Sequence, residues 1–424
     1  MNITHILSLI FLINLIILGI VQGQVPDKIE YASCQLQSIG TNKINGYVLF
    51  SDYSGTSTKL YNVYLVASGL DAQATSVFAT VRQYGDLQNT ANPVFGFDGK
   101  NPYDCATAPG CIGSADVKAS EIDWTADFTN GLFNLSPGLK SIIGRTFAIS
   151  TSESDPKDII AQCVLGIGNP KFIPADSPLI AVKDATNQAA ISDIEGNAIE
   201  NGAVCYLQPT KDFPTVNGSI LITEVKSAKE GSKRGNGINI IAWVNGAPNT
   251  KPALGISINQ FGDAMTDDGS SCGDIWGLAN QTHGLASNNT RLYGDIGNIC
   301  MYYNDVATYN WTTPYIGYFD TIPNLLGRSI VVRSQLYTAN PTYSGSIMAT
   351  CIIGLREGTA IPSTNLQVNI YNAPPTCLPT PDTNTTSSGD NNSTSSHDSG
   401  SFSSITTPII KITVILSVLS IILF

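Results

Sequence analysis

Short segments in which apolar and polar residues alternate run through the middle of the chain. Examples are Tyr47–Phe50, Val77–Val81, Thr146–Ser150, Ile238–Val244 and Ile330–Val332, all rich in β-branched and aromatic residues. Alternation with a period of two is typical of strands that bury one face, and Gly, Asn, Asp and Pro interrupt it about every eight to twelve residues. The pattern predicts an all-β fold of tandem sandwiches or barrels with Greek-key connections.

The strand-like segments of the first half recur in the second half in the same order. Five pairs of segments align, and the offset between partners grows from 171 to 188 residues along the chain. The pairs are Ala32–Gln37 with Ala203–Gln208, Asn45–Phe50 with Asn217–Ile222, Arg82–Asp86 with Asn259–Asp263, Ile142–Ser150 with Leu325–Arg333, and Gln162–Gly168 with Thr350–Arg356. Preserved order with a drifting offset indicates a duplicated domain. We therefore predict repeat one at residues 31–168, a linker at 169–202 that prolines stiffen, and repeat two at 203–356.

The N-terminal segment has the layout of a secretory signal peptide. An apolar run from Ile6 to Val21 is followed by a small-residue cleavage signal that ends at Gly23. This arrangement predicts a signal peptide over residues 1–23, and an uncleaved anchor is the alternative.

The C-terminal region predicts a stalk and a lipid anchor. Residues 357–399 are rich in Ser, Thr, Asn and Pro, a composition that is typical of a flexible stalk. The apolar run Ile412–Phe424 is too short to cross about 30 Å of hydrocarbon, and it follows small residues and a polar spacer. We therefore predict a glycosylphosphatidylinositol (GPI) signal over residues 400–424, with Ser399 as the attachment site and Gly389 or Ser388 as alternatives. A transmembrane anchor is the competing interpretation.

Composition excludes several classes of function. The chain has 33 acidic and 22 basic residues, a net charge of -11, which disfavours nucleic acid and anionic lipid as partners. It has three histidines: His5 near the start, His397 in the Ser-rich region, and His283 in the body. One histidine in the body excludes sites that need several imidazoles. We also find no Ser/His/Asp constellation and no glycine-rich phosphate loop.

The cysteines and glycosylation sequons indicate an extracellular location. Nine cysteines follow the predicted signal peptide, and in an oxidising compartment they are expected to form disulfides. A zinc cluster is the rival interpretation, but the nearest pair, Cys105 and Cys111, is six residues apart with no histidine nearby. We predict N-glycosylation at Asn134, Asn217, Asn280, Asn288, Asn310, Asn384, Asn391 and Asn392.

The order of the repeated motifs resembles the Cu/Zn superoxide dismutase family. In sequence these motifs are a strand with a cysteine, a strand that begins Asn-Gly, Gln-Phe/Tyr-Gly-Asp, Gly-Asp/Cys-Ile-Gly, Gly-Arg before an apolar run, and a final cysteine strand. The resemblance covers roughly 290 of the 424 residues and implies an eight-stranded Greek-key barrel in each repeat. It also implies a disulfide from the loop after Gln-Phe/Tyr-Gly-Asp to the last strand. The pairs are then Cys105–Cys163, with Cys111 as a weaker substitute for Cys105, and Cys272–Cys351. The remaining cysteines, Cys34, Cys111, Cys205, Cys300 and Cys377, are left unassigned.

The resemblance fails at the metal ligands. The positions of the copper-ligand histidines carry Thr80, Arg82 and Ser150 in repeat one, and Ser257, Asn259 and Arg333 in repeat two. Other ligand positions fall near Leu278 and Leu292, and the family's anion-attracting arginine falls on Ile160 and Met348. His283 and Asp295 match zinc-ligand positions and are vestigial at best, since two ligands do not make a tetrahedral zinc site.

For these remaining residues we expect structural roles. His283 is expected to lie in a surface loop, and Asp295 is expected to cap a loop through backbone amides. We also expect Arg82 to bond Thr80 or Ser150, and Arg333 to bond Ser257 or Asn259, with arginines that extend into solvent as the alternative.

Two functions follow from these observations. The first is a GPI-anchored cell-surface pseudoenzyme without cofactors, held on the outer leaflet of the plasma membrane, that binds an unidentified protein or glycan. The second is an extracellular Cu/Zn superoxide dismutase that converts superoxide to hydrogen peroxide and oxygen, with copper and zinc as cofactors.

Overall fold

The computed structural model describes most of both repeats. The described residues are 31–53, 60–89, 92–96, 108–129, 135, 141–152, 158–174, 177, 202–224, 238–248, 253–277, 281–284, 291–302, 306–313, 325–335 and 345–357. The chain divides into two units, Met1–Pro379 and Thr380–Phe424, and every described residue belongs to the first. The regular structure of these residues is almost entirely β, with single 3-10 turns at Pro170–Phe172 and Ser270–Cys272. The predicted all-β class is therefore confirmed.

Repeat one forms two antiparallel sheets of five strands. Its strands are β1 (Tyr31–Gln35), β2 (Gln37–Ser38), β3 (Asn45–Tyr53), β4 (Leu60–Ser68), β5 (Ser76–Val81), β6 (Cys111–Asp116), β7 (Glu121–Thr129), β8 (Thr146–Ser150), β9 (Ile159–Val164) and β10 (Gly166–Ile167). The first sheet has the order β10-β1-β3-β4-β7, and the second has the order β2-β9-β8-β5-β6.

A tight turn joins β6 to β7, which lie in different sheets. Lys118 and Glu121 exchange backbone hydrogen bonds of 2.9 and 3.0 Å, and Ala119 and Ser120 between them have φ of 52° and 66°. Two central residues with positive φ define the type I′ turn that suits the twist of a hairpin.

Repeat two closes into a barrel. Its strands are β11 (Ala203–Pro209), β12 (Asn217–Glu224), β13 (Ile238–Asn245), β14 (Ala253–Asn259), β15 (Gly297–Tyr302), β16 (Val306–Thr313), β17 (Ser329–Arg333), β18 (Ile347–Ile352) and β19 (Gly354–Leu355). The sheet order is β12-β13-β16-β15-β14-β17-β18-β11-β19, and β12 also pairs with β11. That last pairing joins the ends of the row, so the eight strands β11 to β18 surround one core. The chain passes from β13 to β14 and from β16 to β17 without pairing them, as in a Greek key.

Strand alternation places one apolar cluster inside each repeat. On β13, Ile240, Ala242 and Val244 point inward and are fully buried, whereas Trp243 points outward. The inward residues of the other strands are also buried and form one apolar cluster in each repeat. Each buried Val, Leu or Ile side chain stabilises the fold by about 1.5–3 kcal/mol. The two repeats therefore have separate cores.

The two repeats contact each other through equivalent backbone segments. Gly85 N donates to Leu355 O and Leu355 N donates to Gly144 O, both at 2.7 Å. In the other half of the junction, Gly262 N donates to Ile167 O at 2.9 Å and Ile167 N donates to Gly327 O at 2.7 Å. The two pairs of hydrogen bonds involve equivalent residues of the two repeats. The junction therefore has the two-fold symmetry of an isologous dimer interface, although both halves belong to one chain.

Glycine is required where these backbones approach. A Cβ on Gly85 would lie 2.6 Å from Gly354 Cα, and a Cβ on Gly262 would lie 3.0 Å from Gly166 Cα, each in the other repeat. The neighbouring aromatic residues cross the junction, since Tyr84 packs against the core of repeat two and Phe261 against the core of repeat one.

The disulfides differ from the predicted ones. Cys163 is bonded to Cys34 with a Cα–Cα distance of 5.8 Å, and Cys351 is bonded to Cys205 at 5.5 Å. The predicted pairs Cys105–Cys163 and Cys272–Cys351 are therefore wrong. Cys105 lies outside the described residues, and Cys111 is also disulfide-bonded.

Strand geometry explains why Cys272 and Cys351 do not pair. The thiol of Cys272 is buried and free, and it lies beside the hydroxyls of Ser329 and Thr350. Successive side chains of a strand point to opposite faces, so Cys351 is directed away from this side. It belongs instead to the core of repeat two, together with Cys205.

Candidate functional site

The copper-ligand positions on β14 are occupied by two buried residues that hydrogen-bond each other. Ser257 Oγ donates to Asn259 Oδ1 at 2.8 Å, and Asn259 Nδ2 donates to the carbonyl of Gly273 at 2.7 Å. Neither side chain is exposed. These bonds fix the Asn259 amide and tie β14 to the loop that carries Cys272.

Arg333 does not make the bond predicted for it. It ends β17 opposite Gly255, and its Nη1 donates to the carbonyl of Gly345 at 3.0 Å. Ser257 lies two residues further along β14, where it bonds Asn259 instead. The guanidinium therefore bonds a main-chain oxygen of the segment just before β18.

Repeat one also fills its copper-ligand positions through main-chain oxygens. Arg82 is 1% exposed, and its Nη1 donates to the carbonyl of Asn92 at 3.3 Å. Thr80 Oγ1 donates to Ala148 O at 3.5 Å, and Ser150 Oγ donates to Ser152 O at 3.3 Å. The expected bonds from Arg82 to Thr80 or Ser150 are thus wrong, and burial of Arg82 contradicts the solvent-exposed alternative.

The two zinc-ligand positions do come together in repeat two. His283 Nδ1 lies 3.1 Å from Asp295 Oδ1, and the histidine side chain is only 9% exposed. The prediction of a surface-loop histidine is therefore wrong, because this imidazole packs against a buried carboxylate.

Asp295 holds the surrounding loop through backbone amides, as predicted. Its Oδ2 accepts from Gly284 N at 2.8 Å and from Leu292 N at 3.1 Å. Burial raises the pKa of Asp295, and the Gly284 amide and His283 oppose that shift. Both oxygens of the carboxylate therefore have partners within the protein.

These residues do not fit a copper or a zinc centre. Copper(II) and zinc in such sites take imidazole, thiolate or carboxylate ligands, and a stable zinc site has four. Over the described parts of the chain, no three His, Cys, Asp or Glu side chains lie together. Leu292 occupies one further ligand position and supplies no donor, while Leu278 lies outside the described residues. Of the two anion-attracting positions, Met348 is fully buried and Ile160 is partly buried.

The sequence analysis missed the polar residues of the junction. Asp263 is 1% exposed; its carboxylate accepts from Ser33 Oγ at 3.1 Å and from Asn169 N at 2.9 Å, both in or next to repeat one. Burial raises the pKa of Asp263, and its hydrogen bonds oppose that shift. The signal was present, since this aspartate ends the repeated Gln-Phe/Tyr-Gly-Asp motif.

The matching aspartate of repeat one makes different contacts. Tyr206 donates its hydroxyl to Asp86 Oδ1 at 2.7 Å, and Arg356 Nε lies 3.8 Å from Asp86 Oδ2. Burial and the hydrogen bond to Asp86 raise the pKa of Tyr206. Each repeat thus extends one carboxylate to the other.

A cavity of about 290 Å³ also lies between the repeats. Amide and hydroxyl side chains from both repeats line it, including Gln35, Asn45, Tyr206, Gln208 and Thr266, together with the carboxylate of Asp267. Its polar lining has no arginine or lysine.

The predicted modification sites lie mostly outside the described residues. Asn217 is exposed at the start of β12, and Asn310 lies on β16, where the backbone is described. Outside the described residues fall Asn134, Asn280, Asn288, Asn384, Asn391, Asn392 and Ser399. In the described part of the chain, no helix has the length and apolar character needed to span a bilayer.

Comparison with known proteins agrees with this fold. The family model of copper/zinc superoxide dismutase (SODC) matches residues 216–353, most of repeat two. Extracellular superoxide dismutase (Cu-Zn) 2 of Dictyostelium discoideum is 26% identical over 349 residues, covering 77% of this chain and 78% of the relative. Extracellular superoxide dismutase (Cu-Zn) 3 of the same organism is 26% identical over 344 residues, covering 77% and 79%. The copper chaperone for superoxide dismutase of Sus scrofa is 27% identical over 146 residues, or 34% of this chain and 42% of the chaperone.

The chain is therefore similar to the Cu/Zn superoxide dismutase family, whose model matches most of repeat two. Its similarity to the two Dictyostelium proteins extends into both repeats.

Proposed function

We propose that this chain is an extracellular, membrane-anchored member of the family that binds a partner at the cell surface and does not dismute superoxide. The observation that carries the proposal is the closed hydrogen-bond chain from Ser257 through Asn259 to Gly273 at the copper-ligand positions. A hydroxyl and an amide that satisfy each other leave no basic nitrogen for a metal.

The chemistry of dismutation supports this conclusion. The reaction alternately reduces and reoxidises one metal ion, which must stay bound in both states. Imidazole suits copper in this role, whereas Thr80, Ser150, Ser257 and Asn259 offer only neutral oxygen or amide groups. The buried cation of Arg82 in repeat one adds electrostatic repulsion toward Cu²⁺.

The junction supports a structural reason for keeping the fold. The two repeats contact each other through their backbones and through Asp86 and Asp263, so these contacts hold them together without a metal. The loops at the copper-ligand positions therefore need not coordinate a metal, and we propose that their surfaces bind the partner.

The extracellular location has independent support. The two Dictyostelium relatives are named extracellular dismutases, the chain forms disulfides, and it carries eight sequons. We include in the proposal the GPI anchor at Ser399. Phosphatidylinositol-specific phospholipase should release the protein from intact cells, whereas retention with the peptide Ile412–Phe424 still attached would contradict the anchor.

A second candidate function is superoxide dismutation itself. It is favoured by the names of the relatives, whose similarity extends into both repeats. To discriminate, the secreted ectodomain is loaded with Cu²⁺ and Zn²⁺, freed of excess metal, and assayed for dismutation.

The matched control for that assay is His283→Ala. We expect the wild-type ectodomain and the variant to have the same rate, equal to that of an unrelated protein treated in the same way. A wild-type rate that scales with protein concentration and falls in the variant would establish the enzyme and overturn our proposal.

The binding role has its own test. Labelled ectodomain should bind intact cells saturably, and a chelator should leave the binding curve unchanged. Binding that never saturates, or that a chelator abolishes, would contradict a metal-independent recognition role.

A further inference from the structure

The outward face of β12 and β13 carries an exposed apolar patch. Trp243 is 44% exposed and is the one large apolar residue so exposed among the described residues. Leu221 and Ile241, which lie opposite each other in the register, are partly exposed on the same face. An antiparallel sheet with one face on the core normally presents polar side chains on its solvent face. An exposed apolar patch on that face therefore indicates that something binds over it.

A glycosylation sequon lies beside the indole. In the β12–β13 register, Ser219 is opposite Trp243 and Asn217 is opposite Asn245. Asn217 is therefore the diagonal neighbour of Trp243 on the same face, at a typical separation of about 7–8 Å. Asn217, Gly218 and Ser219 form the sequon, and Asn217 is exposed.

The Asn217 side chain keeps one N–H bond outside the hydrogen bonds of the protein. Its Nδ2 donates to the carbonyl of Thr215 at 2.9 Å, which uses one of its two N–H bonds. The other N–H is free to be replaced by sugar. In that step the anomeric carbon of a lipid-linked oligosaccharide diphosphate bonds to Nδ2, the bond from that carbon to the diphosphate breaks, and the amide loses one proton.

Repeat one lacks both features at the matching positions. Asn45 corresponds to Asn217, but the residue two further on is Tyr47, so no sequon is formed. Tyr47 lies opposite Val66, which corresponds to Trp243. The Tyr47 ring packs edge-on against Tyr64 at 6.1 Å between centroids. An exposed tryptophan and a sequon thus occur side by side at these positions of repeat two, and neither is present at the matching positions of repeat one.

We propose that the N-linked glycan on Asn217 lies over the indole of Trp243 and shields the outward patch of β12 and β13. The apolar C–H face of a pyranose matches the flat indole, whose large surface otherwise remains in water. The short diagonal separation places the first sugar within reach of the ring. This inference requires secretion but neither the anchor nor the absence of catalysis.

The test is covalent footprinting of Trp243 in the full secreted protein. Hydroxyl-radical labelling followed by mass spectrometry is compared between wild type, Asn217→Gln and Ser219→Ala, which abolish the sequon in two different ways. We expect labelling of Trp243 to rise in both variants, because the indole, 44% exposed without sugars, loses its cover. Buried Trp276 serves as the internal reference and should not change.

Asn280→Gln is the matched control, since it removes a sequon that lies on neither β12 nor β13. It should leave Trp243 labelling unchanged. An Asn217 found without glycan would overturn the proposal, as would a glycosylated Asn217 whose loss leaves Trp243 labelling unaltered. Labelling that falls with protein concentration and ignores both sequon variants would identify a second copy as the cover instead. None of these outcomes depends on metal content or dismutase rate.

Discussion

The two repeats share their motifs but complete the fold in different ways. In repeat two, β15 pairs with β16 and β12 pairs with β11, which closes the barrel. In repeat one, the equivalent strands β6 and β7 join through the turn at Lys118–Glu121 and lie in separate sheets. The comparison shows that the Greek-key core tolerates an open seam when each sheet keeps its inward apolar residues.

The repeats also fill the copper-ligand positions differently. Repeat one uses a buried guanidinium, Arg82, bonded to a main-chain oxygen. Repeat two uses the mutual hydrogen bond of Ser257 and Asn259. Two unrelated arrangements at equivalent positions indicate that no shared ligand geometry is maintained.

The largest loss of stability is expected when a disulfide is removed, and comparing the two disulfides tests whether both repeats depend on them equally. Replacing Cys205 and Cys351 with alanine should destabilise the protein by about 4–5 kcal/mol in the chain-entropy model, since the bond spans 146 residues. The matching double variant at Cys34 and Cys163, which spans 129 residues, should lose a similar amount. Equilibrium unfolding in urea measures both.

Cys272→Ala is the control for the disulfide variants. Its thiol is free, so the loss should be only about 1 kcal/mol, from a small cavity. A loss as large as that of the double variants would mean that Cys272 is bonded after all.

The next effect tests the symmetry of the junction. Gly85→Ala and Gly262→Ala each place a Cβ against a carbonyl of their own repeat and against the backbone of the other repeat, at Gly354 and Gly166, and each should cost about 2–3 kcal/mol in unfolding free energy. Gly40→Ala is the comparison, because it has open space around it and only its φ of 68° is unfavourable, which costs about 1 kcal/mol. Equal effects at all three glycines would contradict the close backbone packing around Gly85 and Gly262.

A smaller effect separates the two junction aspartates. Asp263→Asn leaves buried donors with a poorer acceptor and should cost about 1–3 kcal/mol, whereas Asp86→Asn should cost less because Asp86 is partly exposed. Thermal unfolding of the two variants and of wild type shows which substitution causes the larger loss of stability. The reverse order would contradict the burial of Asp263.

The cost of Asp263→Asn should also depend on pH. Because the folded pKa of Asp263 is raised, this carboxyl stabilises the fold when protonated, and that contribution is lost as pH rises through the folded pKa. Asparagine does not titrate, so the difference in unfolding free energy between wild type and the variant should be larger at acidic pH than at neutral pH. A difference that shrinks on acidification would show that the pKa of Asp263 is lowered.

The smallest effect concerns the vestigial zinc positions. His283→Gln should cost about 1 kcal/mol or less, the loss of one partly exposed hydrogen bond to Asp295. Differential scanning calorimetry with and without a chelator checks it. A chelator-dependent drop in Tm that disappears in the variant would mean that His283 holds a metal.

Local patterns in the sequence predict the fold well. Alternation predicts the strands, and the drifting offset predicts two copies. The predicted disulfides are wrong because the family pattern does not specify which face of the strand each residue occupies. On β18, Thr350 faces Cys272, and the next residue, Cys351, points to the opposite face. A signal was available: Cys34 and Cys163 match Cys205 and Cys351 in the duplication, whereas Cys272 has no clear match.

The candidate site is less predictable from sequence. The residue types at Ser257, Asn259 and Arg82 disfavour copper without any structure. Their partners, the carbonyls of Gly273 and Asn92, come from loops whose paths depend on tertiary packing, so no periodicity of the sequence indicates them. The junction aspartates were missed for the same reason, because their partners lie in the other repeat.

The most direct test of the central claim is a count of metal ions on the secreted protein. The ectodomain is dialysed against Cu²⁺ and Zn²⁺, separated from free metal and weighed intact by native mass spectrometry. We expect the mass of the metal-free glycoprotein with its disulfides formed. A species that carries one copper for each protein molecule, and that persists through the separation, would contradict it.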